Sequence, residues 1–180
     1  VALTEGEILQ ARFRRNPSVT PADYVEIIDR KTASLFATGA RTAAHLADAP
    51  AGVVQAMATC GRHVGRAFQM QDDLLDVEGS SARTGKPRGL DLRDGNPSLP
   101  IVLALDQDAE VGRIFATPHP SAADIETGLA RIRRTGVCQT VASRARNELD
   151  TAIAAVATLP PSEARSALDV LAQSLGERSA

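Results

Sequence analysis

The sequence predicts an all-α protein, and three observations predict it. Apolar residues recur at helical spacing along nearly the whole chain, with no alternating strand pattern longer than a few residues. Hydrophobic residues make up 43% of the 180 residues but aromatics only 3%, with no Trp, so Ala, Leu and Val must build the core. That is the composition of closely packed helices. Pro, Gly and capping residues also punctuate the periodic runs at points that suit helix ends. With no repeat of fixed period and no low-complexity tract, one all-α domain, or part of one, is expected over residues 1–180.

Thr20 followed by Pro21 marks a helix start, a hydroxyl cap with proline at the first helical position. The periodic run from there continues to about Ala47 and is broken by Asp48-Ala49-Pro50. A second long run goes from about Ala51 to Val77 and stops at Glu78-Gly79. Residues 79–97 hold Gly79, Gly85, Pro87, Gly89, Gly95 and Pro97, which predicts a loop with no room for a helix. A short helix is expected from Ser98 to Leu105, then a weaker one to Ala116. Thr117-Pro118-His119-Pro120 breaks the chain again, and Ser121 is the next cap. Runs at about 122–134, 137–158 and 162–175 complete the pattern, the last two separated by Pro160-Pro161.

The bulk numbers exclude several classes. A net charge of −2 does not supply the basic face a nucleic-acid partner needs. Cys60 and Cys138 are far apart with no CxxC, too little for a disulfide framework or a structural zinc site, which reads as a reducing compartment. No apolar run approaches the ~20 residues that cross a membrane. The N-terminus has no basic-then-apolar signal pattern and no initiator Met, so a cytoplasmic and incomplete chain is expected.

The first chemical signal is a lysine on an apolar face. On a wheel of about 100° per residue, Tyr24, Ile27, Ile28, Leu35 and Thr38 share one face, with Lys31 in its middle. An inward ammonium needs a compensating anion, because burying it unpaired costs several kcal/mol. Of 20 cationic residues only Lys31 and Lys86 are lysine. A chain so biased toward Arg keeps Lys where a compact point charge fits and a planar fork does not.

The second signal is an acidic stripe. Gln69, Asp72, Asp73 and Asp76 fall within an arc of roughly 100°, beside an apolar stripe of Met57, Val64, Phe68 and Leu75. Gly61 and Gly65 lie one and two turns earlier on the same line. Each glycine costs about 1 kcal/mol against Ala in mid-helix, so close approach of another helix or a ligand is expected there. No Lys or Arg at i±3 or i±4 balances the aspartates, and Asp72 and Asp76 repel at i,i+4. A hard divalent cation relieves that repulsion. Magnesium, which takes one or two carboxylates with waters and phosphate oxygens, suits an open stripe.

The string FQMQDDLLD at 68–76, followed by TGKPRGLDL at 84–92, resembles the second aspartate-rich motif and following loop of the trans-isoprenyl diphosphate synthases, the polyprenyl synthetase family. KTASLF at 31–36 resembles that family's Lys-Thr motif, and Ser98-Leu99-Pro100 the segment that starts its next helix. The likeness runs from about Gly6 to Leu105. It implies a helical bundle of the isoprenoid synthase type, of which this chain is the C-terminal half. It further implies that Asp72, Asp73 and Asp76 bind Mg2+ on an allylic diphosphate, Asp72 most directly. Lys31 and Lys86 hold diphosphate oxygens, while Thr32 and Gln69 turn their oxygens toward an allylic cation. The implied reaction is head-to-tail condensation with isopentenyl diphosphate, in which the departing diphosphate takes the proton and the chain gains five carbons.

The sequence also departs from the family. The resembled enzymes carry two aspartate-rich motifs, and only one is present here. Asn96 stands where the family commonly has a lysine, which weakens the expected diphosphate contacts. The site is thus expected to be half-built and completed by a complementing N-terminal half, and the resemblance also implies a homodimer. Two other readings stand beside this one: a non-catalytic or regulatory subunit of a prenyl synthase, and a class I terpene cyclase. Retention of both lysines, Gln69 and all three aspartates favours the catalytic reading.

Overall fold

Helix ends fall close to the stop signals of the sequence. The computed structural model describes residues 1–79 and 88–176, and among these every regular element is helical. The order is α1 (Ala2–Phe13), α2 (Pro21–Ile28), one π turn (Asp29–Ala33) and α3 (Ser34–Leu46). The long α4 (Ala51–Glu78) comes next, then α5 (Leu90–Asp94), α6 (Leu99–Leu105) and α7 (Ala109–Ala116). The series ends with α8 (Ala122–Arg134), α9 (Val137–Val156) and α10 (Glu163–Gly176).

The expected caps form. The Thr20 hydroxyl accepts from the Asp23 N–H at 3.2 Å while the Asp23 carboxylate accepts from the Thr20 N–H at 2.9 Å. Ser121 and Asp124 close the same reciprocal box at the start of α8. Asp108 divides α6 from α7 by accepting from the N–H groups of Glu110 and Val111 at 3.0 and 3.3 Å.

Three features depart from the sequence reading. α1 precedes the first start signal; its only buried residue is Gly6, so no apolar stripe announces it. α5 lies inside the segment expected to be all loop. It fits there because it has only 5 residues, between Gly89 and Gly95 in left-handed backbone with φ of 75° and 71°. The π turn is the third. It adds one residue to the helical register and rotates the downstream side chains by roughly 100°. Tyr24, Ile27 and Ile28 therefore stay buried, while Leu35 turns out to 63% exposure and Thr38 is exposed. The single face drawn from 24 to 38 is thus two faces, and Lys31 sits at their junction.

α4 is the central element, packed most extensively against α3 and α9. Against α3 the seam is tight: a Cβ on Gly61 would lie 2.5 Å from the Phe36 carbonyl oxygen, and one on Gly65 would lie 2.7 Å from Ala33 Cα. Helix approach thus accounts for both glycines. On the other side Met70, Leu74 and Val77 enter a core with Leu99, Ile101, Val111, Ile114, Phe115, Leu129, Ile132 and Val141. No described helix is long and apolar enough to cross a membrane.

Candidate functional site

The π turn places Lys31 and Thr32 on successive positions beside the C-terminal half of α4. Thr32 Oγ1 donates to Gln69 Oε1 at 2.9 Å, and Gln69 Nε2 donates to Asp73 Oδ1 at 3.0 Å. The other Asp73 oxygen accepts from the Leu99 N–H at 2.9 Å. An unbroken relay thus runs from the π turn through α4 to the start of α6. A carboxylate only accepts, so this relay fixes the orientation of the Gln69 amide.

Lys31 takes a different route. Its ammonium donates to Gln10 Oε1 at 2.6 Å and lies 3.2 Å from Glu7 Oε1, both on α1. The anion that an inward lysine requires is therefore supplied within the chain by Glu7. Neither Glu7 nor Gln10 stood out in the sequence. The available signal was their spacing of three, which puts both on one face of a helix, directly after Gly6.

The three aspartates occupy different environments. Asp72 is exposed and forms no hydrogen bond among the described residues. Asp73 is buried. Burial pushes its carboxyl up to about 6, opposed by the bonds from Gln69 and Leu99 and assisted by the neighbouring charge of Asp72. Asp76 uses both oxygens on backbone, accepting from Leu90 N–H at 2.9 Å and Asp91 N–H at 3.1 Å. Its carboxyl is raised, chiefly by burial, with those two N–H groups working the other way. Asp76 is thus a clasp that ties α5 to α4, in contrast to the open carboxylate of Asp72.

A fourth carboxyl joins them. Asp91 is raised well above the ordinary range by burial first, then by the charges of Asp73 and Asp76. The Asn96 side chain neighbours it and draws it back down. Asn96 Oδ1 is itself buried without a hydrogen-bond partner. The Tyr24 hydroxyl is buried and faces Asp73, whose charge adds to burial in raising it. Lys86 lies outside the described residues.

The donor set is hard oxygen, and its acids repel one another. Among the described residues no three His, Cys, Asp or Glu side chains converge to hold a metal by themselves. Hard oxygen donors of this kind suit magnesium, which takes one or two carboxylates and leaves the remaining positions to water and phosphate. Beside the relay lies an apolar surface. The rings of Phe36 and Phe68 pack with centroids 5.6 Å apart, and Phe68 and Leu35 are exposed at 36% and 63%.

Several other charged side chains pair around α4 and its neighbours. Asp29 binds Arg62 and Arg66, and Arg66 also reaches Glu148 at 3.8 Å. His63 Nδ1 lies 2.6 Å from Glu148, so it is a satisfied position. Arg131 pairs with Asp108, and Arg133 donates to the Val77 carbonyl. Cys60 and Cys138 are free and buried.

A family profile described as polyprenyl synthetase matches residues 1–129. A prenyl transferase of Porphyra purpurea is 35% identical over 167 residues, which cover 93% of this chain and 52% of that protein. Heptaprenyl diphosphate synthase component 2 of Geobacillus stearothermophilus is 34% identical over 179 residues, covering 99% of this chain and 56% of its own length. Among solved structures, a decaprenyl diphosphate synthase from Rhodobacter capsulatus superposes with a TM-score of 0.91 at 33% identity, over 99% of this chain and 57% of the other. A polyprenyl synthase from Caulobacter crescentus, complexed with calcium and isoprenyl diphosphate, gives 0.92 at 32% identity, over 99% and 56%. The chain therefore spans about half the length of the relatives it matches.

Proposed function

Because this chain belongs to the polyprenyl synthetase family, we propose that it forms the part of a polyprenyl diphosphate synthase that holds the allylic diphosphate with magnesium. The observation that carries this reading is the relay Thr32–Gln69–Asp73, with Lys31 next to one end and the open carboxylate of Asp72 next to the other. Residues 1–180 are then the C-terminal portion of one all-α domain, working in the cytoplasm.

The hydrogen bonds support a division of roles. Asp72, exposed and without a hydrogen bond among the described residues, offers its carboxylate to Mg2+. Asp73 and Asp76 add charge beside it while their oxygens hold α4, α5 and α6 together. Magnesium, when bound there, supplies positive charge that offsets the charge building on a departing diphosphate. Lys31 and Lys86 bind diphosphate oxygens directly. The Thr32 proton is committed to Gln69, so the hydroxyl's remaining lone pairs stay available to stabilise an allylic cation. Leu35, Phe36 and Phe68 give the hydrocarbon tail an apolar surface. Isopentenyl diphosphate then captures the cation through its double bond, and the departing diphosphate removes the proton.

A second reading draws on the Geobacillus relative, which is named as one component of a synthase. In it the chain acts only with a complementing N-terminal half or partner subunit, in place of a homodimer. One experiment separates the two. The complete protein is incubated with Mg2+, farnesyl diphosphate and labelled isopentenyl diphosphate, and the extractable prenyl diphosphates are analysed. Label in longer chains supports the first reading. Incorporation only after a partner is added supports the second. No incorporation in either case overturns both.

A further inference from the structure

α1 crosses the π turn closely enough to handle Lys31 from both backbone and side chain. A Cβ on Gly6 would lie 2.4 Å from the Lys31 nitrogen and 2.7 Å from its Cα, so only glycine allows this approach. The contact sets the next turn of α1 over the Lys31 side chain, where Gln10 and Glu7 both meet the ammonium, at 2.6 and 3.2 Å.

These two partners differ in kind. Gln10 is a neutral acceptor, and an ammonium has three donors. It can therefore keep its bond while Lys31 also contacts a diphosphate. Glu7 carries a full negative charge, which opposes an anion arriving at the same ammonium. The Lys31 side chain is 32% exposed and that of Glu7 51%, so their ion pair is held in water and weakly. We infer that Glu7 is a positioning residue that competes with the diphosphate for Lys31 and thereby sets diphosphate affinity, while Gln10 fixes the direction of the ammonium.

This rests on the proposed reading of Lys31 as a diphosphate ligand. The test is calorimetric binding of inorganic pyrophosphate, with Mg2+, to the complete protein. Glu7→Gln keeps the shape of the side chain and removes the competing charge; it should tighten binding about two- to fivefold, the scale of an exposed ion pair. Glu5→Gln removes the same charge from the exposed side of the same helix and should change nothing. In a Lys31→Ala background the Glu7→Gln gain should vanish.

Unchanged or weaker binding by Glu7→Gln overturns the inference. So does an equal gain from Glu5→Gln, or a gain that persists without Lys31. Pyrophosphate binding that Lys31→Ala leaves intact sinks the ligand reading of Lys31 itself, a result distinct from failure of the Glu7 effect alone.

Discussion

Asp73 and Asp76 each satisfy helix-start N–H groups on elements further along the chain. Asp73 takes the Leu99 N–H at the start of α6, and Asp76 takes those of Leu90 and Asp91 at the start of α5. The nominal cap of α6, Ser98, makes no side-chain bond of its own, so the aspartate two elements earlier does its work. Asp72, exposed on the same stripe, accepts no backbone N–H among the described residues. Substitutions should sort accordingly. Asp76→Ala leaves two amides without their acceptor and should lower unfolding free energy by about 1–3 kcal/mol. Asp72→Ala should stay within about 0.5 kcal/mol of the parent. Urea denaturation of both variants measures the difference, and a larger loss at Asp72 would contradict the division of labour. The sequence showed the stripe and its spacing but not this division, because backbone N–H partners become visible only once α5 and α6 are placed.

At the scale of elements, the π turn and the α3–α4 seam shape the site. Helical periodicity and cap chemistry made most helices readable, including the starts at Pro21 and Ala122 and the break at Pro50. The π turn was not readable, since Asp-Arg-Lys-Thr-Ala contains no residue that forbids an α-helix. Its effect was to split one supposed apolar face and to bring Lys31 to α1. α1 itself escaped notice for a related reason: a glycine contact, rather than an apolar stripe, docks it. The seam yields a prediction whose sign is set by two opposed effects. Gly61→Ala improves helix propensity by about 1 kcal/mol. It also drives a methyl to 2.5 Å from the Phe36 carbonyl, which is backbone and cannot swing aside. Overpacking of this kind costs typically about 1–3 kcal/mol, so the variant should melt lower than the parent. A higher melting temperature would show that α3 and α4 can separate without loss.

For the whole molecule, the acidic site should set how stability depends on pH. Burial raises the Asp73 carboxyl to about 6 in the folded chain and lifts Asp91 well above the ordinary range, against about 3.9 when unfolded. The folded state therefore holds more protons than the unfolded state across that interval, and stability falls as pH rises through it. Carboxyls held low by their partners, such as Asp94 and Asp108, contribute above the ordinary carboxylate range and lose their effect only in stronger acid. In EDTA the melting temperature should thus drop between about pH 4.5 and 7, and Asp73→Asn should flatten that slope. A slope unchanged in the variant would remove Asp73 as its source. Asn96 belongs to the same balance. It stands beside Asp91, so the buried acid has an amide neighbour that draws it back down. Its identity was legible in the sequence, but its neighbour was not.

The proposed function turns on Asp72 as the residue through which magnesium brings diphosphate to this chain. Pyrophosphate binding to the complete protein, titrated with magnesium and compared with Asp72→Ala, tests that claim most directly. The expected result is magnesium-dependent binding in the parent and loss of that dependence in the variant. An Asp72→Ala protein that binds pyrophosphate with the parent's affinity and the same magnesium requirement would contradict it.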